Sequence, residues 1–481
     1  MAHLITRRRF LETGATLIST GWAVPSFIAA TASLLDPENP LRPKPVEAST
    51  PNGRILVLLQ LGGGNDGINT VIPYGDARYY DATVRPDLAI PANQVLQLSS
   101  YVGLHPNLSR LKTRWDRGQV GVVQGVGYPN ATRSHFRGTD IWESAVPTRF
   151  EASGWVGRYI EQRIASCSCS LDNLEAITAG SSTSAGTFWT EMALVPAVAS
   201  ISSFRYTSVN TSTSPTNTQR TSEIATLRTA LAQTDGHAEA EFLRKSIRTA
   251  LDDSDIVAAA ATKYTPIGNY GTSGLGNSLK MIAQLIGSNS TNTAVYYCSL
   301  GGFDTHTGQL TSHGNLMNTL DQTVDAFFAD IENIGKANQV TLMTFSEFGR
   351  RLAQNGTGTA AGTDHGLAAP MFVIGGNVAG GLYSTYPSLQ ASALSGGDIQ
   401  RTVDFRQVYA TILEDWLGVP SSGILESAYT KLPFFRPPPN PSAPSRTGAA
   451  VGGTPDQMPG RIAVPGPTPT GPVNQKPPSR H

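Results

Sequence analysis

The sequence predicts an α/β protein with a mostly parallel central sheet and helices on both faces. Three observations carry this. Short, almost continuously apolar runs such as Arg54 to Leu61, Gln119 to Val126 and Val295 to Leu300 read as strands buried on two faces. Stretches with helical apolar spacing separate them; the clearest runs from Leu316 through Leu320, Val324, Phe327, Phe328, Ile331 and Ile334 to Gly335. Several strands also end directly in Gly, Asp, Glu or His, at the edge where open α/β sheets gather their chemistry.

The chain has 481 residues, 40% hydrophobic and 15% charged, which suits one large domain or two ordinary ones. Thirty-six basic and 36 acidic residues cancel, so nothing in the charge balance points to nucleic acid or an anionic membrane as partner. Cys167 and Cys169 sit too close to bridge comfortably and Cys298 lies within a strand, so the three cysteines form no disulfide framework.

The amino terminus reads as an export signal. Thr6-Arg7-Arg8-Arg9-Phe10-Leu11 resembles the twin-arginine motif, with Glu12 in place of its usual lysine; an apolar run from Ala15 to Ala29 and the small residues Ala30-Thr31-Ala32 follow. Residues 1–32 are therefore expected to be a signal peptide read by the twin-arginine translocation machinery, and 33–52 a Pro-rich linker. The mature chain is then periplasmic or secreted. That route carries folded proteins, including those that load a metal or cofactor first. No later run approaches membrane-spanning length.

In chain order, Gly62 to Gly67 follows the first strand and formally spells a dinucleotide fingerprint. Pro73 would interrupt the helix such a motif must open, so the nicotinamide reading is set aside: the glycines let the chain turn sharply and Asp66 face a site. Tyr79 to Leu104 reads as a surface loop or hairpin, and His105-Pro106 as the start of a helix through Trp115. After the strand Gln119 to Val126, Ser134 falls where a helix toward Ala145 begins. A serine there is most often an N-cap, yet a hydroxyl in the positive field of a helix amino terminus also suits a nucleophile. Arg133 and Arg137 beside it suit an anionic substrate.

Gly154 to Ser170 continues as helix and turn. Ser181 to Arg220, rich in Ser, Thr and Asn, is expected to be irregular; Thr221 to Ala261 reads as helical with a break near Asp235-Gly236, and Leu275 to Ile286 as a short helix. The strand from Val295 breaks at Gly301-Gly302 and delivers Asp304 and His306, one carboxylate and one imidazole for a single cation. Gln339 to Phe345 is a strand ending in Ser346-Glu347, a Gly/Thr/Ala-rich loop delivers Thr363-Asp364-His365-Gly366, and Pro370 to Ile374 is the last strand. Val403 to Leu417 closes the domain, 53–436, as a helix. Residues 437–481 are Pro/Gly-rich and read as a disordered tail.

QLGGGNDGINTVIPY, VGYPNATRSHFRGTDIWESA, SLGGFDTH, TFSEFGRR and GTDHGLAAPMFVIGG, in that order, resemble the bacterial exported family of domain of unknown function fifteen-oh-one, from about Arg54 to Leu417. That family is similar to the alkaline phosphatase and sulfatase superfamily. The resemblance implies an alkaline-phosphatase-like fold and one or two divalent ions (Zn, Mn, Mg or Ca) at the carboxyl edge of the sheet. Asp66 and Glu347 would help form one site, with Ser134 as attacking hydroxyl; Asp304, His306 and His365 would form the other, with His313 as an alternative to His306. Arg133, Arg350 or Arg351 would hold the non-bridging oxygens of a small anionic ester.

Three departures stand out. Glu347-Phe348 replaces the superfamily's Asp-His, leaving that site short of an imidazole that Asp364 or His135 would have to replace. The Asp304-Thr305-His306 spacing is tighter than usual. No cysteine stands in the Cys-x-Pro-x-Arg context of sulfatases. Two functions are therefore carried forward: an exported metal-dependent hydrolase of phosphate or sulfate esters, and a noncatalytic exported protein that binds glycan, envelope or a partner on the same fold.

Overall fold

The computed structural model describes residues 53–437, apart from 168–173, 191–194, 203, 205–216 and 234–237. The expected signal peptide, the linker, Cys169 and, beyond Pro437, the tail lie outside the described residues.

Strand β1 (Ile55–Leu61) lies at the middle of the sheet because every second side chain is apolar on each face. Ile55, Val57, Leu59 and Leu61 point into one core, whereas Leu56 and Leu58 point into the other. The remaining strands of the sheet are β2 (Val120–Gly127), β3 (Ala176–Ala179), β4 (Ala197–Val198), β5 (Val295–Leu300), β6 (Val340–Phe345), β7 (Ala369–Gly375), β8 (Gly381–Tyr383) and β9 (Val403–Asp404). Their spatial order is β8-β2-β7-β6-β1-β5-β3-β4, with β9 also pairing β2.

β5 and β6 flank β1 in parallel register, Leu58 lying opposite Tyr297 on one side and Met343 on the other. The sheet is mostly parallel, as expected, but β7 runs antiparallel to both β2 and β6.

Helices cover both faces. α1 (Gly67–Thr70) is a single turn, and α2 is Ser109–Asp116, α3 His135–Ser144, α4 Trp155–Cys167, α5 Asn217–Leu231, α6 Ala238–Lys263, α7 Gly274–Ser288, α8 Gln309–Asn333 and α9 Phe405–Thr411. Leu111 of α2, Leu279 and Ile282 of α7 and Leu320, Phe327 and Ile331 of α8 fill the first core. Trp142 of α3, Trp155 and Tyr159 of α4 and Val408 and Tyr409 of α9 fill the second.

Some boundaries shift for local reasons. The helix expected at His105 begins at Ser109, because Leu108 N donates to the His105 carbonyl in a preceding turn. Val403 and Asp404 join the sheet before α9 begins, and Asp404 with Gln407 closes a capping box there. Part of the Tyr79 to Leu104 loop pairs with Val71–Ile72 in a small three-stranded sheet.

A buried polar network underlies the loops at one sheet edge. Asp66, expected as a metal ligand, is fully buried and caps α1 through Oδ1, which accepts from Ile68 N at 3.1 Å. Its Oδ2 accepts from Arg85 Nη1 at 2.9 Å and from Gln309 Nε2. Burial is the largest single influence and would raise this carboxyl, but the Arg85 guanidinium, His313 and the hydrogen bonds from Arg85 and Asn69 together outweigh it and the pKa is lowered. His313, the expected alternative ligand, is also buried, with Nε2 3.1 Å from Asn65 Oδ1 and 3.3 Å from Thr70 Oγ1. Of the two expected ligands, Asp66 has its carboxylate engaged by a short helix and a buried arginine, and His313 has its ring against Asn65 and Thr70.

Asp66→Ala leaves Arg85 charged and unpaired in a dry site, so a loss of about 3–5 kcal/mol is expected. Urea denaturation measures it, and a change within ordinary surface-mutation range contradicts the pairing. Burial also lowers the pKa of His313 from 6.5 to about 4. Between those values the unfolded state takes a proton the folded state refuses, so stability falls as pH drops from 6.5 toward 4. His313→Gln is expected to flatten that part of the urea-midpoint pH profile.

Candidate metal centre

Because β7 runs against its neighbours, its entry loop carrying Thr363, Asp364 and His365 lies at the edge where β1, β5 and β6 end. The β5 exit brings Asp304 and His306, the β6 exit Glu347 and Arg350, and the segment between β2 and α3 brings Arg133 to His135.

The glycines after β1 make this convergence sterically possible. Gly63 has φ +116° and a Cβ there would stand 2.4 Å from Asp304 N; at Gly64 (φ +81°) it would stand 2.3 Å from the Phe348 ring. The glycine run thus serves close approach of two neighbouring loops.

Three histidines present Nε2 toward Asp304, and each is held from behind through Nδ1. His365 Nδ1 lies 2.8 Å from the Arg133 carbonyl oxygen. That oxygen can only accept, so Nδ1 carries the hydrogen and, in the neutral ring, Nε2 carries a lone pair. His135 Nδ1 lies 2.9 Å from Glu347 Oε1, and His306 Nδ1 lies 3.3 Å from Asp364 Oδ1. On the inner side, His365 Nε2 is 3.1 Å and His306 Nε2 3.2 Å from Asp304 Oδ1, while the two Nε2 atoms are 3.0 Å apart. His135 Nε2 lies 3.6 Å from Asp304 Oδ2. Ligand atoms of His135, Asp304 and His365 all lie within 4.8 Å of one another.

This donor set fits a divalent ion. Ligands around a tetrahedral ion with bonds of ~2.0–2.1 Å stand roughly 3.3 Å apart, close to the His306–His365–Asp304 triangle. Imidazoles with carboxylate suit Zn²⁺ or Mn²⁺ better than Mg²⁺ or Ca²⁺, which prefer oxygen alone. Hydrogen bonds donated from the outer nitrogen of a ligating histidine fix ring orientation and tautomer, and Glu347, Asp364 and the Arg133 carbonyl are placed to accept them here. Partial burial raises the Asp304 carboxyl, but Arg350, which donates to it and stands beside it as a cation, together with the neighbouring imidazoles outweighs this and holds its pKa at about 2.

Glu347 is buried and also accepts from Gly63 N at 2.7 Å. Glu347 and Asp364, expected as ligands, each stand against the outer nitrogen of an imidazole, and His135, introduced only as a substitute for a missing imidazole, joins the group of side chains that could hold an ion. The Phe348 ring lies 4.4 Å from that of His365 and 4.9 Å from that of His135, a wall for both.

Arg350 is fully buried and donates to Gly64 O (2.7 Å), Thr363 O (2.7 Å), Phe303 O (3.0 Å), Gly63 O and Asp304 Oδ1 (2.6 Å). Arg350, expected to grip substrate, has its donors taken up by these carbonyls and by Asp304. Arg133 pairs with buried Asp398, a partner to which no sequence signal pointed. Ser134 is exposed and accepts only a long 3.5 Å bond from Arg137 N as the α3 N-cap.

The fold and site define a mixed α/β protein with a histidine-rich cluster at the carboxyl edge of its sheet. The family model described as "Protein of unknown function (DUF1501)" matches residues 193–421, bearing out the family resemblance. SLGGFDTH, TFSEFGRR and GTDHGLAAPMFVIGG fall inside that match; the two earlier motifs precede it.

Among solved structures, the chain is similar to an alkaline phosphatase superfamily protein from Vibrio parahaemolyticus at 9% identity and a TM-score of 0.34, over 83% of this chain and 76% of that one. It is also similar to the lipoteichoic acid synthase LtaP from Listeria monocytogenes at 8% identity and TM-score 0.30, over 78% and 76%. A third likeness is to alkaline phosphatase from the Antarctic bacterium TAB5, at 10% and 0.25, over 67% and 92%. Overlaps this loose assign no activity. No curated protein matches by sequence.

His306→Ala and His365→Ala are each expected to abolish tight zinc binding, whereas Glu347→Gln, which leaves the ligands but loosens His135, weakens it by roughly 10- to 100-fold. Zinc titration on folded protein reads this. Unchanged affinity in either alanine variant removes that residue from the centre. Gly63→Ala is expected to weaken zinc binding by pushing back the Asp304 backbone.

Proposed function

We propose that this chain is a metal-dependent hydrolase of phosphate or sulfate esters, phosphate being favoured because the sulfatase cysteine motif is missing from the sequence. The observation that carries the reading is the convergence of three outward-anchored imidazoles on Asp304. A divalent ion held there supplies Lewis acidity and lowers the pKa of a bound hydroxyl.

The chain's own residues do the rest. Ser134 stands between Arg133, whose carbonyl anchors His365, and His135, which faces Asp304. Its long capping bond leaves the hydroxyl accessible for attack on the ester, and the amino end of α3 favours negative charge on that oxygen. The Phe348 ring closes one side of the imidazole cluster to water. We also propose that the protein is exported to the periplasm or beyond through the twin-arginine route, on the strength of residues 6–32. No helix among the described residues is long and apolar enough to cross a membrane.

One observation favours the second reading, an exported protein that binds glycan, envelope or a partner through the same centre. Arg350 is buried and Arg133 is paired with Asp398, so neither is free to grip a transferred group.

Ser134→Ala separates the two. With zinc content unchanged, the hydrolase reading expects a loss on the order of 10³-fold in kcat/KM on p-nitrophenyl phosphate. Full activity in the variant would exclude Ser134 as nucleophile. A metal-loaded wild type that turns over neither phosphate nor sulfate esters would favour the binding protein.

A further inference from the structure

A cavity of ≈ 680 Å³ lies beside the histidine cluster, lined by Tyr128, Asn130, Arg133, Leu367, Gln400 and Arg401 among others. The two features share walls. The Arg133 carbonyl receives the His365 Nδ1 hydrogen while its side chain lines the cavity, and Leu367 lies two residues beyond His365.

The lining is positive. Among the described residues its charged lining is Arg133 and Arg401, with no carboxylate. Asp398, fully buried, pairs with Arg133 and also lies 3.4 Å from Arg351 Nε, so one carboxylate faces two guanidiniums. Arg401 is exposed, and no described residue is its ion-pair or hydrogen-bond partner. An unpaired guanidinium in a concave site free of acids is a ready partner for phosphate, sulfate or carboxylate oxygens.

We propose that this cavity binds a second anionic group, carried on the alcohol side of the ester, with Arg401 as its anchor. The preferred substrates are then esters bearing two negative groups. This rests on the hydrolase reading for the reacting group, whereas the anion site itself does not need the metal.

Two arms test it. In chelator-treated protein, calorimetric titration with glucose 1,6-bisphosphate is expected to show binding that Arg401→Ala weakens roughly tenfold or more and Arg401→Lys partly restores. No binding, or equal binding by wild type and Arg401→Ala, overturns the proposal. In zinc-loaded protein, kcat/KM for glucose 1,6-bisphosphate is expected to exceed that for glucose 1-phosphate by about tenfold, a preference that disappears in Arg401→Ala. Turnover without that preference overturns the substrate class. Absence of all turnover removes the hydrolase reading, while the chelated arm still decides whether Arg401 anchors an anion.

Discussion

The Arg350 guanidinium is the contact on which the candidate site depends. It is buried without exposure and gathers carbonyls from the turn after β1, the turn after β5 and the loop before β7, besides the Asp304 carboxylate. Each of those loops leaves its strand with backbone groups the sheet no longer satisfies. A planar cation with five donors meets several of them at once, which a lysine could not. The buried charge is tolerable because Asp304 is ionised beside it. Stability and function are therefore coupled: the residue that closes the loops also aims the carboxylate at the imidazoles.

Below this lies a second polar layer. Gln309 accepts from Thr305 and Thr363 and donates to Asp66, which Arg85 neutralises. Thr305 sits between Asp304 and His306, and Thr363 is two residues before His365. Asp66 thus supports the centre from beneath. Its ladder of hydrogen bonds locks the segments that carry the candidate ligands, the kind of support a site needs if its donors are to be set before a ligand arrives.

The alternation of apolar residues made the central strands, the long helix α8 and the two-sided burial of the sheet legible in advance. Asp304 and His306 were legible as candidates because they follow a strand that breaks at glycine, and His365 because it ends a loop that leads into the last long strand. Glu347 and Asp364 looked the same in sequence. Whether a strand-end carboxylate meets a cation or the back of a histidine depends on which loop crosses it, and spacing along the chain carries no such information. Arg133, Arg350 and Arg401 show the same limit. Arginines look alike in sequence, yet Arg350 is buried among carbonyls, Arg133 is paired with a distant aspartate and Arg401 stands beside a cavity with no partner among the described residues.

By itself the sequence determined the fold class, the polar residues that cluster at strand ends and the family resemblance, because periodicity and glycine placement are local and survive without tertiary context. Tertiary structure alone decided that β7 runs backward, bringing the entry loop with His365 to the edge where β5 and β6 exit. It also decided which nitrogen of each histidine faces inward, since that follows from the acceptor behind the ring, supplied in each case by a residue far away in the chain.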